Sequence, residues 1–135
     1  MLDEHTLLLK FPPEQVARMM EFSGDHGWRA ALTIITSDFF AAGDRRLWRH
    51  VDLDRQSLFF DRILEDATFS SGERRLLLIA ASMYSEETSI NLCDVLGGLD
   101  HAGLTVAVRA IHTFTLGGRQ PAAAPFSPAP PPRLG

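Results

Sequence analysis

Residues 69–87 read FSSGERRLLLIAASMYSEE. Ser70 and Glu73 stand at capping-box spacing, in which each side chain satisfies a backbone amide at the other's position, so a helix starts here. From Leu76 through Ser85 no charge appears. A helix without a polar side belongs inside a protein, and the pattern predicts a buried central helix over residues 72–85. Ala80, Ala81 and Ser82 leave room for neighbouring helices to approach it closely. The expected fold is all-α: a single compact domain of about six helices over residues 1–118, followed by a tail over 119–135.

Downstream, TSINLCDVLGG (88–98) and LDHAGLTVAVRAIHTFTLGG (99–118) each pair a capping residue with a glycine stop. Ser89 is the expected cap of a short helix to Leu96, and Asp100 that of the last helix. The apolar stripe Leu104, Ala107, Val108, Ile111 and Phe114 is assigned to the interior, and His101, Thr105, Arg109 and His112 to the wet side. Upstream, Pro12 and Pro13 open a first helix, EQVARMMEF, which Gly24 closes. Trp28, Leu32, Ile35 and Phe39 predict a second helix from Trp28 to Ala42, with Arg29, Thr33, Thr36 and Ser37 facing outward. Asp44 caps a turn carrying Leu47, Trp48 and Val51, and Asp54 caps a helix over 54–66. Residues 5–11, HTLLLKF, fit either a strand or an extended arm.

Length and charge narrow the function classes. A chain of 135 residues with 45% apolar content closes one core but hardly two. The net charge is -4; with Arg119 and Arg133 in the tail, the body sets 17 acids against 11 of the 13 bases, a net of -6. Such a body repels polyphosphate unless its bases gather on one face. The excess of arginine over the single lysine, Lys10, fits a GC-rich bacterial genome and carries no functional weight. The lone Cys93 forms no internal disulfide and is expected as a packed thiol in a reducing cytoplasm. The start MLDEH has no export pattern, and the uncharged run from Leu76 is too short to span a bilayer, so a cytoplasmic protein without a membrane partner is expected.

No complete catalytic or cofactor motif occurs. The stretch FSSGERRLLLIA is similar to the signature loop of ABC-type ATPases in its S-x-G-E core, but the chain lacks a phosphate loop, and the capping box accounts for the same residues. His101 and His112 are separated by roughly 16 Å along one helix, too far to share an ion. His50, Asp52 and Asp54 form H-x-D-x-D, a candidate cation cluster on a loop but a pair of helix-start acids otherwise. Ser82 and Ser85 have no nucleophile elbow, and Asp94 beside Cys93 opposes thiolate formation. Asp61, Glu65 and Asp66 read as a solvated face. The expectation is a protein with no cofactor or metal and, rather than an enzyme, a binding protein, with a small metal enzyme on His50, Asp52 and Asp54 as the third reading.

Interaction is the remaining class. Leu58, Phe59 and Phe60, with Ile63 and Leu64, cover more of the 54–66 helix than one contact face requires, which assigns them to a partner or to self-association as a homodimer. The tail holds six of the eight prolines and is expected to be disordered, partly polyproline II. It carries one aromatic, Phe126, and Pro128, Pro131 and Arg133 satisfy the ligand pattern P-x-x-P-x-R. The expected function is an adaptor binding another protein or larger assembly through Leu58, Phe59, Phe60, Phe126 and Arg133. The alternative is a DNA-binding regulator, because residues 92–111 resemble a helix-turn-helix: Leu92, Cys93, Leu96 and Gly97, then Leu99 and Asp100, then Leu104, Val108 and Ile111. Gly98 lengthens that turn and Gly103 stands where Thr or Ser is usual. The resemblance implies that His101, Thr105, Arg109 and His112 face the nucleic acid.

Overall fold

Helix α1 spans Glu4–Leu8, so the residues compatible with a strand or arm form a helical turn instead, which buries Leu7 and Phe11. The computed structural model describes residues 3–21 and 25–116. Helix α2, Pro13–Met20, starts on the expected proline pair and buries Val16 and Met19. Its expected stop, Gly24, lies outside the described residues, as does the whole segment 119–135 with Phe126 and Arg133.

Helix α3 runs His26–Ile35, capped by the Asp25 carboxylate, which accepts a hydrogen bond from the Trp28 amide at 3.0 Å. It ends seven residues before the expected Ala42, and local chemistry explains why. The Thr36 hydroxyl donates to the Leu32 carbonyl at 2.6 Å and the Ser37 hydroxyl to the Ile34 carbonyl at 2.6 Å, bonds that compete with helix continuation. The Lys10 ammonium then donates to the Thr36 carbonyl and pairs with Asp38 at 3.0 Å, a cation at the negative end of the helix dipole. Thr33 and Thr36, expected outside, are buried, because α3 is enclosed on every side; the Thr33 hydroxyl is satisfied by the Arg29 carbonyl at 2.8 Å.

Helix α4, Arg45–Trp48, follows its expected Asp44 cap and buries Leu47. The next expected helix, 54–66, is corrected. Strands β1 (Val51–Asp52) and β2 (Ser57–Leu58) pair antiparallel, Val51 opposite Leu58, and only Phe60–Leu64 is helical, as α5. Two contacts hold the hairpin: the Asp52 carboxylate accepts from the Arg55 amide at 3.2 Å, and the Tyr84 hydroxyl accepts from the Leu58 amide and donates to the Gln56 carbonyl, each at 3.2 Å. Gln56 takes the left-handed conformation that the turn needs, with φ 53°. A tyrosine from a distant helix thus braces a segment whose local pattern is helical.

Helix α6 spans Ser71–Tyr84 and has both hydrogen bonds of the capping box, Glu73 amide to Ser70 hydroxyl at 3.1 Å and Ser70 amide to Glu73 carboxylate at 2.8 Å. The uncharged stretch lies inside as expected: Leu76, Leu77, Ile79, Ala80 and Ala81 are buried, and α6 touches α3 and α5 together with the last two helices, α7 and α8. Close approach has one strict requirement. A Cβ on Gly27 would stand 2.6 Å from the Met83 carbonyl oxygen, so glycine alone lets the start of α3 meet the end of α6. Helix α7, Leu92–Gly97, is capped by Asn91 rather than Ser89, and α8, His101–Leu116, by the expected Asp100, whose carboxylate accepts from the Gly103 amide at 2.8 Å. The eight helices and one hairpin of the described residues form an all-α fold around α3 and α6.

Candidate functional site

Helix α8 carries two apolar stripes, and hydrophobic size does not say which one turns inward. One is small: Gly103, Val106, Ala107, Ala110 and Thr113. The other is large: Leu104, Val108, Ile111 and Phe114, roughly 100° further round the helix. The small stripe is the buried one. It packs chiefly on α3, so α8 approaches that helix through small side chains. Of the expected interior stripe Leu104, Ala107, Val108, Ile111 and Phe114, Ala107 is buried, Ile111 is half-buried, and the others are turned toward solvent: Val108 is 60% exposed, Phe114 39% and Leu104 36%.

Beside this stripe lies a groove of about 400 Å³ walled by Ile79 and Met83 of α6, Ile90 and Leu92, and Ile111 and Phe114 of α8. The rest of its lining is serine and threonine, and no ionisable side chain reaches it. The close Gly27 contact fixes the end of α6 and thereby Met83, while α7 is fixed by Arg75. The Arg75 guanidinium donates to the Asp94 carbonyl at 2.8 Å and the Val95 carbonyl at 3.3 Å, closing the C-terminus of α7. Gly98 makes room for that guanidinium, since a Cβ there would overlap its central carbon. The second glycine of the Gly97-Gly98 pair therefore has a structural cause. Cys93, expected to be packed, is exposed on the outer side of α7.

The residues assigned to a partner separate. Leu58 and Phe60 are buried, so the apolar excess of segment 54–66 is mostly wrapped by neighbours, and only Phe59 projects, 51% exposed. The four residues assigned to DNA, His101, Thr105, Arg109 and His112, are exposed along α8. Several arginines of the described residues are engaged elsewhere. Arg46 pairs with Asp44 at 2.7 Å and lies over the Phe69 ring at 4.2 Å, Arg49 faces Asp66 at 4.0 Å, and Arg74 donates to the Leu64 carbonyl at 2.6 Å. Hydrogen bonding to Arg46 holds the Asp44 carboxyl below its ordinary value of 3.8 and raises the arginine in turn. Arg109 itself borders a small cleft that also holds Asp3 and Asp38.

His50, Asp52 and Asp54 share a larger cleft, about 660 Å³, with Arg18, Arg49, Trp48 and Phe59. They do not converge: Asp52 is turned to Arg55 and Asp54 to Arg18 at 3.4 Å. Among the described residues no three His, Cys, Asp or Glu side chains gather as a metal site. Also among them, no helix is long and apolar enough to cross a membrane. No protein-family model, no curated protein and no solved structure matches the chain.

The groove is not legible in the stripe Leu104, Ala107, Val108, Ile111 and Phe114, which mixes the buried Ala107 with residues turned outward. The available signal was the spacing of Gly103, Ala107 and Ala110, a line of small residues that marks a close helix contact as clearly as large ones mark a core.

Proposed function

We propose that this chain is a non-enzymatic interaction protein that docks a partner protein on the outer face of α8 and the adjoining groove. The observation that carries the reading is the outward large stripe. Burying a Val, Leu or Phe side chain is worth about 1.5–3 kcal/mol, so three such residues left in water on one helix forgo several kcal/mol that a partner would recover. Helix α8 has one formal charge, Arg109, in sixteen residues. Covering its outer face strips water from few charged groups, which favours a protein partner over a polyanion. Phe59, remote in sequence, belongs to the wall of the polar cleft and not to this face.

Site-specific photo-crosslinking tests the reading in the cell. A photoreactive side chain at position 108 is expected to give a discrete protein adduct, and the same group at the exposed Arg55 position none. Absence of any adduct at 108 would remove the basis for an interaction protein. The helix-turn-helix alternative retains one favourable observation, the joint exposure of His101, Thr105, Arg109 and His112. It demands salt-dependent retention of DNA on a filter, because phosphate contacts release counterions. The engagement of Arg46, Arg49, Arg74 and Arg75 elsewhere argues that none will be seen.

A further inference from the structure

We propose that the groove between α6 and α8 is covered by this chain's own residues 119–135, with Phe126 seated against Met83, Ile111 and Phe114. The proposal rests on reading the α8 face as an interaction surface and names what occupies it first. Size, reach and charge each support this occupant.

The exposed parts of Leu92, Leu104, Val108 and Phe114 amount to on the order of a few hundred Å². A second folded copy of the chain, docking face to face, needs about 800 Å² from each partner, more than this stripe offers, whereas a short peptide-like segment, from this chain or from a partner, needs less. A short segment with one large side chain fits the size. The chain leaves α8 at Leu116, and Ile111 lies five residues back, about 7.5 Å along the axis. Ten residues separate Leu116 from Phe126, up to about 33 Å when extended, and Gly117-Gly118 permits the reversal. The tether is slack, and tethering of this length sets an effective concentration on the order of millimolar. The chemistry also matches: from Pro121 to Pro132 the segment PAAAPFSPAPPP carries no charge, and neither does the groove. Phe126 is the segment's one aromatic, and its prolines lower the entropy lost on docking.

The lone cysteine supplies the test. Cys93 is exposed and follows Leu92, a wall of the groove, so a nitroxide attached there reports on whatever fills it. In the full chain, the amides of Ala124, Phe126 and Ser127 are expected to lose more than half their intensity relative to the reduced label. In F126A that loss should be smaller, down to what a tethered but undocked segment gives. Methyl signals of Ile79, Ile90 and Ile111 should shift in F126A while those of Ile34 and Ile63, buried in the core, stay in place. Equal relaxation and equal methyl shifts in the two proteins would overturn the proposal. So would relaxation transferred between molecules, in a mixture of nitroxide-bearing and isotope-labelled chains, which would assign the groove to a second copy. Failure here with an adduct still formed at position 108 leaves the interaction reading standing; Phe126 effects without any adduct at 108 make the contact part of the fold alone.

Discussion

Helices α6 and α8 are nearly equal in length and both mostly uncharged along their apolar runs, yet they use their large side chains in opposite ways. Helix α6 turns Leu76, Leu77 and Ile79 into the core, and its outward positions are held by the capping box at one end and the Tyr84 hydroxyl at the other. Helix α8 turns glycine and alanine inward and leaves Leu104, Val108 and Phe114 outside. The difference lies in what each helix meets. Helix α6 is met on several sides, by α3, α5, α7 and α8, and large side chains fill the gaps among them. Helix α8 lies mainly along α3, and the residues it turns inward are mostly small, which lets the two helices come together closely. Apolar content alone therefore does not fix which face of a helix is structural.

The contrast is broken most forcefully from the α6 side. Leu77 is fully buried, and Leu77→Ala is expected to destabilise by about 2–5 kcal/mol, the lost transfer energy plus a cavity. Against a typical domain stability of about 5–15 kcal/mol this is a large share, readable as a fall in the urea midpoint. A loss under about 1 kcal/mol, below the range for such truncations, would mean that α6 is not interior. The second test fills space instead of emptying it. Ala110 is fully buried and belongs to the small stripe, so Ala110→Leu is expected to cost about 1–3 kcal/mol by overpacking against α3. Were the large stripe the inward one, position 110 would lie at its edge and the leucine would be tolerated.

These outcomes bear on what was legible in the chain. The capping box at Ser70 and Glu73, the buried run from Leu76, the Asp44 and Asp100 caps and the helical class were all readable, because each depends on neighbours a few residues away. What escaped depends on distant partners. The hairpin found in segment 54–66 is braced by Tyr84 at Leu58 and Gln56, and α3 stops at Ile35 with Lys10 at its end, contacts spanning 26 and 28 residues. The candidate site was half legible: Val108, Ile111 and Phe114 form one stripe by their spacing, but the inward face is the smaller one, marked by Gly103, Ala107 and Ala110 rather than by hydrophobic size.

The smallest effect makes the sharpest test of that direction. At 60% exposure, Val108 has little side-chain area left to lose from the fold. Serine and valine differ little in helix propensity, so Val108→Ser is expected to leave stability within about 0.5 kcal/mol of the parent. The same substitution on an inward stripe would bury a hydroxyl and remove methyl groups, costing about 1–3 kcal/mol for the unpaired polar group alone. Stability and docking should therefore separate at this residue: thermal melting stays in place while adduct formation from a neighbouring probe at position 104 falls. At Leu77 no such separation exists, because a side chain that the fold has already enclosed has nothing further to offer a partner.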